Sequence, residues 1–363
     1  MRSRELTVVT SPFWARPPER YPGELPDRAD VLVVGGGIAG TSLLHHLARR
    51  RISAVLVESK HLAFGASGRN AGFLLAGVAD CYSEAVRIFG REKAREVWHV
   101  TNENHDRMLE AADRDDVGHR RLGSATLASG DEERARLEES AQLLRDDGFE
   151  ASWDGQRLVN PRDGEINPAA MVGALARRAK SGAIREGVEV TSVVPGSVEV
   201  SVRAGERECR AGVVILATNA YTSKLLPQVK IQPTRAQMVA SAPIYRTLSD
   251  MPTYSHFGYR YWRQLPTGEV LIGGWRDTSM ETEIGWDDEP SAEIQEHLDR
   301  KLESMSKGAE VTHRWAGLMG FTETGLPLAG PVEGMRNVYL CAGFNGHGMG
   351  FAFMTAKQLV ESL

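Results

Sequence analysis

The hydrophobic pattern near the start of the chain predicts a strand, a glycine turn, a helix and a second strand in close succession. Four apolar residues (31–34) run directly into a glycine cluster (35–40). In the next segment (41–50), leucines recur at i, i+1 and i+4 and form one apolar helix face. A second apolar run (54–58) follows. This order predicts a βαβ unit and therefore a parallel sheet.

Polar segments with helical spacing follow this unit. Charged residues dominate 91–118 and 131–149, and both segments are predicted to be exposed amphipathic helices. Asn167 before Pro168 predicts another helix, because asparagine is a favoured N-cap and proline suits the first helical position.

Strand patterns return in the second half of the chain. Strands are predicted over 187–194 and 210–222, and the second of these is fully apolar, as buried parallel strands are. Segment 260–276 is predicted to form a hairpin that turns at Gly268. From residue 337 onward the pattern again predicts a strand, a glycine loop and a helix. Because such elements occur at the start, middle and end, we expect a discontinuous cofactor domain interrupted by a second domain.

The composition is that of an ordinary globular protein and narrows the range of partners. The 363 residues are 42% hydrophobic and 25% charged, with a net charge of −5 and no basic block suited to nucleic acid. The three cysteines are far apart and lack a matching histidine cluster, so neither a disulfide framework nor a metal site is expected. No apolar run suits a membrane span or a signal peptide. We expect a cytoplasmic protein whose oligomeric state stays open, a homo-oligomer included.

The first glycine loop carries a dinucleotide-binding signature. Gly35, Gly37 and Gly40 match G-x-G-x-x-G between a strand and a helix, where they permit a tight turn, pyrophosphate approach and close helix packing. Glu58 ends the second strand, where an acid would accept hydrogen bonds from an adenosine ribose. The alternative is a structural turn without a ligand. An acid at this position disfavours a 2′-phosphate, so NAD and FAD remain.

Two further glycine loops separate these two cofactors. GASGRNAG (65–72) offers Ser67, Arg69 and Asn70 as donors near the middle of the cofactor, and an ordinary mobile loop is the alternative. GFNGHGMG (343–350) opens the final helix, whose amino end would stabilise the negative charge that collects on a flavin during reduction. A nicotinamide has no such need. Together the three loops favour FAD.

These motifs carry a resemblance to a known family. The chain is similar, from Asp30 to Leu363, to the D-amino acid oxidase, glycine oxidase and sarcosine oxidase superfamily of FAD-dependent amine oxidoreductases. Within it, γ-glutamylputrescine oxidoreductase-like members are the most similar. The motifs, in the order expected for the superfamily, are DVLVVGGGIAG, VLVES, GASGRNAGF, VVILATNAYT, WAGLMGFTETGLPLAG and NVYLCAGFNGHGMGFA.

The resemblance implies an α/β (α+β) fold in which a Rossmann-like FAD-binding domain carries an inserted, mostly antiparallel substrate domain. The FAD-binding domain is expected to comprise residues 30–80, 155–226 and 325–363. The substrate domain is expected to comprise residues 81–154 and 227–324, and residues 1–29 an N-terminal arm.

The resemblance also implies which residues hold FAD, without a covalent bond. It places backbone near Val193 at the adenine, Ala217 and Thr218 beside the pyrophosphate, and the third loop along the isoalloxazine ring. Relatives attach flavin through a cysteine or a histidine, but 316–339 contain no cysteine and Asn70 replaces the histidine. The predicted cofactor-binding residues are Gly35, Gly37, Ile38, Ala39, Gly40, Glu58, Ser59, Ala66, Ser67, Arg69, Asn70, Ala71, Gly72, Val193, Ala217, Thr218, Gly343, Asn345, Gly346, His347, Gly348 and Met349.

The implied reaction transfers a hydride from the C–H beside an amine nitrogen to flavin N5 and gives an imine, which water hydrolyses. Glycine oxidase-like members carry an arginine that binds the substrate carboxylate, and Met319 occupies its position here. Sarcosine oxidase-like members promote the reaction with oxygen through a lysine, and the loosely aligned residue here is Leu271. The electron acceptor is therefore O2 or another molecule.

Side chains on or beside the predicted hairpin are candidates for the substrate site. Arg260, Arg263 and Arg276 are candidates to replace the missing arginine, and solvated strand-edge charges are the alternative. Tyr259 and Tyr261 are candidates to cover the substrate, and core residues are the alternative. The predicted catalytic residues are His347, Tyr259, Tyr261, Arg276 and Met319, with a surface histidine as the alternative for His347.

Three functions follow from these observations. The first is FAD-dependent oxidation of the C–N bond of a small-molecule amine or amino acid. The second is FAD-dependent oxidation of a 2-hydroxy acid, and the third is a flavin-binding subunit without turnover. Met319 and Leu271 are the residues that keep the third function open.

Overall fold

The computed structural model describes residues 10–112, 117–179 and 183–363. Within this part of the chain, the predicted N-terminal arm runs from residue 10 over the surface to the first strand. Residues 1–9 of the arm, and residues 113–116 of the predicted helix 91–118, lie outside the described residues.

The arm is held at two places. The indole of Trp14 is buried, and its Nε1 donates a hydrogen bond to the carbonyl of Asn70 at 2.7 Å. Further along, the backbone N–H of Tyr21 donates to Oε2 of Glu186 at 3.1 Å. The other oxygen of this carboxylate accepts from the backbone of Leu62 at 2.8 Å. The arm therefore braces the segment 59–72, which follows the second strand.

One helix begins at a clear start signal in the sequence. This is the fifth helix, where Oδ1 of Asn167 accepts from the N–H of Ala170 at 3.0 Å and a proline occupies the first turn, as predicted. The helices of the described residues are α1 (Ile38–Arg49), α2 (Tyr82–Phe89), α3 (Arg91–Ala112), α4 (Asp131–Asp146), α5 (Pro168–Arg177), α6 (Thr222–Leu225), α7 (Met280–Glu283), α8 (Ala292–Met305) and α9 (Gly348–Ser362).

The strands form two large sheets and one small pair. They are β1 (Arg28–Val34), β2 (Ala54–Glu58), β3 (Phe73–Leu74), β4 (Ser124–Leu127), β5 (Ser152–Trp153), β6 (Arg157–Asn160), β7 (Gly164–Glu165), β8 (Ile184–Glu186), β9 (Ser192–Pro195), β10 (Val200–Ala204), β11 (Arg207–Leu216), β12 (Gln232–Ser241), β13 (Thr253–Ser255), β14 (Arg260–Gln264), β15 (Val270–Gly274), β16 (Val311–Phe321), β17 (Leu328–Pro331) and β18 (Val338–Ala342).

The first sheet is mainly parallel, with β1 near its centre. Its order is β17-β18-β11-β1-β2-β8, and β10 and β9 extend it beside β11 as antiparallel strands. Alternate side chains of β1 enter different cores. Val31 and Val33 pack with α1 and α9, whereas Leu32 and Val34 pack on the opposite face. Burial on both faces explains why this strand is a continuous apolar run.

Helices α1 and α9 lie side by side on one face of this sheet. Nε2 of His46 donates to the carbonyl of Phe353 at 3.0 Å, and Nη1 of Arg50 donates to the carbonyl of Val360 at 2.6 Å. The ring of Phe353 also packs against His46 with centroids 4.4 Å apart. These contacts hold the later turns of α1 against α9, and Gly348 at the start of α9 lies close to Ile38 at the start of α1.

The second sheet is antiparallel except at one pair. Its order is β16-β12-β15-β14-β13-β4-β6-β5, and β13 runs parallel to β4. Helix α8 covers one face through Ile294 and Leu298, which pack with Val239 and Ile272. The predicted hairpin is confirmed: β14 and β15 pair antiparallel, and the chain turns at Gly268. A parallel sheet beside an antiparallel one confirms the predicted α/β fold class.

Three predicted elements differ from the structure. The predicted strand 187–194 is wrong, because the chain here crosses from β8 to β9 and only its last residues pair. The predicted helix 131–149 ends early, at Asp146, whereas the predicted helix 91–118 is present from Arg91 to Ala112 in the described residues. The domain boundary placed at residue 155 assigns β6 to the FAD-binding domain, yet β6 pairs with β4 in the second sheet.

No helix among the described residues combines the length and the apolar character that crossing a bilayer requires.

Candidate active site

A cleft of about 420 Å³ opens between the two sheets. One side is formed at the carboxyl ends of the parallel strands, where ligands of open α/β sheets bind. The other side is formed by strands β12 to β16. We name three glycine segments on its wall the first loop (35–40), the second loop (65–72) and the third loop (343–350).

The cleft is elongated across the first sheet. Glu58 ends β2 and the third loop follows β18, and β11 and β1 separate these two strands. Three strand spacings of ~4.8 Å put the two features about 14 Å apart. We call the side near Glu58 the dinucleotide end. The side lined by Tyr254, Tyr261, Arg276 and His347 is the reactive end.

The first loop passes very close to neighbouring backbone. Gly35 has a φ of +113°, and a Cβ there would lie 2.7 Å from the carbonyl oxygen of Ala217. A Cβ on Gly40 would overlap the carbonyl oxygen of Gly35. These positions therefore require glycine, one for the turn and the other for the packing of α1 on β1, as the motif predicts.

Glu58 organises the dinucleotide end. Its Oε2 accepts from the backbone N–H of Gly36 at 2.7 Å, and its Oε1 accepts from the N–H of Lys60 at 2.9 Å. The carboxylate is thereby fixed against the first loop while its side chain lines the cleft. This is the position from which an acid accepts hydrogen bonds from ribose hydroxyls.

The second loop supports the first. Oγ of Ser67 accepts from the N–H of Ile38 at 2.9 Å and so caps α1, whose own preceding residue supplies no side-chain cap. Arg69 and Asn70, predicted as donors to the cofactor, line the cleft and also hold the loops. Arg69 donates to the carbonyls of Phe64 and Ala316 at 3.0 and 2.7 Å. Asn70 closes its own loop through bonds to Ala66, Ser67 and Gly72.

The third loop is fixed by two asparagines. Oδ1 of Asn219, in the turn after β11, accepts from Gly343 and Phe344 at 3.0 and 3.3 Å. Oδ1 of Asn345 accepts from the N–H of Thr322 at 2.8 Å. Asn345 has a φ of +52°, a left-handed conformation that asparagine tolerates better than most residues. These bonds hold the loop in one shape.

A buried asparagine of α3 fixes the orientation of helix α9. Asn104 is fully buried, and its Nδ2 donates to the carbonyl of Met349 at 2.9 Å. Its Oδ1 accepts from the N–H groups of Phe353 and Met354 at 2.9 and 3.0 Å. Since these groups belong to the helix itself, the side chain of Asn104 is inserted into the hydrogen-bond ladder of α9. The insertion fixes the first turn of α9, which opens on the cleft.

His347 lies in the third loop and is a neutral acceptor. Burial is the main cause that lowers its pKa below the usual value, and the charge of Arg276 acts in the same direction. Its Nδ1 lies 3.3 Å from the carbonyl oxygen of Asn345. Because a carbonyl only accepts, the proton resides on Nδ1 and Nε2 keeps its lone pair. His347 is thus suited to receive a proton at Nε2.

Three aromatic rings form one wall of the reactive end. Phe73, Tyr254 and Tyr261 pack edge to face, with centroids 5.3 to 6.1 Å apart. Tyr254 also stacks on His347 at 6.3 Å. Burial raises the pKa of Tyr261 to about 12, and it raises that of Tyr254 as well. Both phenols are therefore neutral donors at physiological pH.

The three candidate arginines have different surroundings. Arg276 lines the cleft. Arg260 instead pairs with Asp277 at 3.1 Å, and Arg263 is buried and donates to the carbonyl of Gly72 at 2.7 Å. Trp275, with a φ of +64°, turns the chain after β15, so Arg276 does not continue the alternating side-chain pattern of that strand. Arg260 and Arg263 are structural here and not part of the cleft.

Most of the predicted site residues line this cleft, including the catalytic set His347, Tyr259, Tyr261, Arg276 and Met319. Val193 does not, since it is buried in β9, and Glu189 of the preceding segment lines the cleft instead. Leu271 is packed in the core between the sheets. The other predicted cofactor residues outside the lining are Gly40, Gly72 and Gly343, which act through backbone packing.

Sequence reasoning missed several residues of the cleft. Tyr254 lies in a three-residue strand, which carries no usable periodicity. Asn219 belongs to a motif used for the family resemblance, but its bonds to the third loop follow only from the fold. Lys224 stacks on the ring of Trp286 at 4.2 Å, and no sequence motif around Lys224 indicates this contact. The missed residues of the lining include Phe64, Phe73, Asn219, Tyr221, Lys224, Tyr254 and Phe321.

The cleft fits FAD by its own construction. The amides of Ala39 and Gly40, in the first turn of α1, donate to no protein atom within the described residues, and they face the loop region where a pyrophosphate would bind. Glu58 supplies the ribose acceptor, and the amino end of α9 opens at the opposite end. Within the described residues, no cysteine lines the cleft and no acid or histidine group is arranged to hold a metal.

The chain belongs to the family of FAD dependent oxidoreductases, whose model matches residues 30–362. This finding confirms the predicted superfamily and the predicted cofactor, FAD. The protein is therefore an FAD-dependent oxidoreductase.

Two curated relatives span almost all of the chain. The first is the tRNA 5-methylaminomethyl-2-thiouridine biosynthesis bifunctional protein MnmC of Maricaulis maris, 27% identical over 98% of this chain and 57% of that protein. The second is gamma-glutamylputrescine oxidoreductase of Escherichia coli, 25% identical over 99% of this chain and 90% of that protein. Among solved structures, glycine oxidase from Geobacillus kaustophilus has the same fold, with a TM-score of 0.76, 22% identity and coverage of 93% and 95%.

Proposed function

We propose that this protein oxidises the C–N bond of an amine or amino acid. The observation that carries the proposal is a single cleft that joins a dinucleotide site to a pocket holding a neutral imidazole acceptor and two neutral phenols. Removing a hydride beside nitrogen requires a neutral amine held in one orientation more than it requires a strong acid or base. Relatives named for amine and amino-acid substrates support the same reaction class.

Residues of the three loops would hold FAD without a covalent bond. The first turn of α1 would bind the pyrophosphate and Glu58 the ribose, while the third loop would lie along the ring system. When bound, FAD supplies the acceptor for the hydride that leaves the substrate carbon. The first-turn amides of α9 would favour negative charge at the same place.

His347 prepares the substrate. An amine in water is mostly protonated at neutral pH, and an ammonium ion has no lone pair with which to stabilise the developing imine. Nε2 of His347, which accepts, takes the proton of the bound ammonium. Because burial and Arg276 disfavour the charged imidazole, the proton passes on readily to solvent.

The aromatic wall orients the substrate and excludes water. The hydroxyls of Tyr254 and Tyr261 donate to no protein atom within the described residues, so they are free to bond a substrate. Their rings and that of Phe73 offer an apolar surface to the substrate carbon chain.

A cytoplasmic location belongs to this proposal, and the unpaired Cys81, Cys209 and Cys341 support it.

An anaerobic reduction screen tests the proposal. The purified yellow holoenzyme is mixed with primary and secondary amines, D- and L-amino acids and 2-hydroxy acids, and flavin absorbance is followed before and after air is admitted. We expect bleaching with at least one amine and formation of the corresponding carbonyl product. The rate of recovery in air then separates an oxidase from a dehydrogenase.

Two results contradict the proposal. Bleaching by hydroxy acids alone would select C–O oxidation. A flavin that dithionite reduces but no donor in the panel reduces would indicate a binding subunit without turnover.

A further inference from the structure

Arg276 is a guanidinium at the reactive end that lacks an acidic partner. Its Cζ lies 4.4 Å from the ring centroid of Tyr259 and 4.9 Å from that of Phe321. Among the described residues, its recorded polar contact is with Sδ of Met280 at 3.9 Å, and no carboxylate oxygen lies within 4.0 Å. The rings fix the position of the guanidinium without neutralising its charge.

Three of the acids that follow Arg276 in sequence are bound to other arginines. Asp277 pairs with Arg260 at 3.1 Å. Glu283 and Asp287 both pair with the buried Arg235, at 2.6 and 2.7 Å. The segment that follows β15 therefore carries several carboxylates, and these three are engaged by arginines other than Arg276.

The other cations of the cleft serve different places. Lys60 follows Glu58 at the dinucleotide end. Nε of Arg69 donates to the carbonyl of Phe64, and Nη1 donates to the carbonyl of Ala316 and lies 3.6 Å from Asp288. Lys224 follows the turn after β11 and stacks on Trp286, beside the region expected for the pyrophosphate. This leaves a guanidinium beside the aromatic wall as the anion-binding group of the reactive end.

We infer that Arg276 binds the carboxylate of the substrate, so that the substrate is an amino acid or another amine that carries a carboxylate near its C–N bond. A guanidinium held between two rings presents its N–H groups in one plane, which suits both oxygens of a carboxylate. Arg276, which follows β15, thereby takes the role that the family arginine has at the position of Met319 on β16 of the same sheet. This inference rests on the proposed function, whose substrate class it names.

An alternative role for Arg276 is that its charge only stabilises a nearby carboxylate of the protein itself. Its charge lowers the pKa of Asp80, although burial dominates and leaves that pKa raised overall. The two groups form no ion pair within 4.0 Å. A carboxylate ligand would therefore meet a guanidinium that is still able to donate.

The test uses ligands that do not react. The FAD-loaded protein is titrated with benzoate and with benzamide, and with acetate and acetamide, and the change in the flavin spectrum gives the dissociation constants. Each pair has nearly the same shape and differs in charge. We expect the carboxylates to bind at least tenfold more tightly than the amides.

Three variants locate the effect. Arg276→Gln is expected to weaken the binding of benzoate by about 10- to 100-fold, as for loss of charged hydrogen bonds, and to leave the binding of benzamide unchanged. Arg276→Lys keeps the charge and loses the planar arrangement of donors. Its dissociation constant for benzoate is expected to lie between those of the unchanged protein and Arg276→Gln. Arg314→Gln is the control, because it removes a guanidinium of the same sheet that is paired with Asp299 outside the cleft. It is expected to bind benzoate as the unchanged protein does.

The outcomes separate this inference from the proposed function. Equal binding of benzoate and benzamide, no spectral change with either carboxylate, or unchanged benzoate binding in Arg276→Gln would overturn the inference. Flavin reduction by dimethylamine as rapid as by N-methylglycine would overturn it too, while the proposed C–N oxidation stood. If no amine reduces the flavin but benzoate binding depends on Arg276, the proposed function fails and the carboxylate site remains.

Discussion

The two ends of the cleft are built on different principles. The dinucleotide end is made of backbone, with Gly35 and Gly40 placed where a side chain would collide with other backbone. The reactive end is made of side chains, with Tyr254, His347 and Arg276 extending from separate elements. Backbone collisions tolerate almost no substitution, whereas side chains can be exchanged without disturbing the fold. The first end therefore preserves the cofactor and the second determines the substrate.

The strongest test of this comparison is Gly35→Ala. The new methyl group would lie 2.7 Å from the carbonyl oxygen of Ala217, at a φ that disfavours any side chain. We expect the purified protein to retain less than a tenth of its FAD, measured as flavin absorbance per protein. Gly130→Ala is the control, because Gly130 lies outside the cleft and a Cβ there meets nothing within 4 Å. A variant at Gly35 that stays fully loaded would refute the backbone argument.

His347→Gln tests the reactive end. Without a proton acceptor, flavin reduction by an amine should slow by about 100-fold near neutral pH, within the usual contribution of a general base. Since burial lowers the pKa of His347, the unchanged protein should keep this advantage until the medium becomes acidic. The defect should shrink as pH rises, because the free amine then arrives already neutral.

The control for this variant is His313→Gln, whose ring lies on β16 outside the cleft. Stopped-flow reduction across pH measures both variants. A defect that is constant over the pH range would assign His347 a structural role only, and loss of FAD would show that the two ends are not separable.

Tyr254→Phe should have a smaller effect. It removes one hydroxyl that can donate to the substrate, which corresponds to about 1 kcal/mol, or roughly fivefold in kcat/KM. The content of FAD should not change. Tyr82→Phe is the comparison, because its hydroxyl donates to Asp147 at 2.6 Å away from the cleft, and its loss should lower the melting temperature without altering kinetics. The reverse pattern would contradict the assignment of Tyr254 to the substrate.

Ser67→Ala is expected to have the smallest effect. It removes the cap on the N–H of Ile38, a loss of about 1 kcal/mol in stability and a few-fold in FAD affinity. Fluorescence titration of the apoprotein with FAD measures the affinity. Ser304→Ala, on the exposed side of α8, is the control. A loss as large as that of Gly35→Ala would show that the dinucleotide end also depends on single side chains.

The same contrast explains how far the sequence predicts the molecule. The three loops could be located because glycine spacing records where backbone must turn or approach closely. Arg276 could be predicted only as one of three candidate arginines. The alternation of side chains along a strand gives no indication that Trp275 adopts a left-handed conformation after β15. Tyr254 left no signal at all, since a three-residue strand is too short to show a period. Val193 was misplaced because the chain crosses irregularly between two strands.

The pairing of α1 with α9 has a consequence for how the protein is made. His46 and Phe353 are 307 residues apart, yet their contact holds the first and third loops side by side. Synthesis must therefore reach α9 before both ends of the cleft exist together. Until then β1 and β2 have no partner helix from α9, and their apolar surface is exposed to aggregation. Loading of the flavin is thus a late event, and its supply in the cell should influence the yield of folded protein.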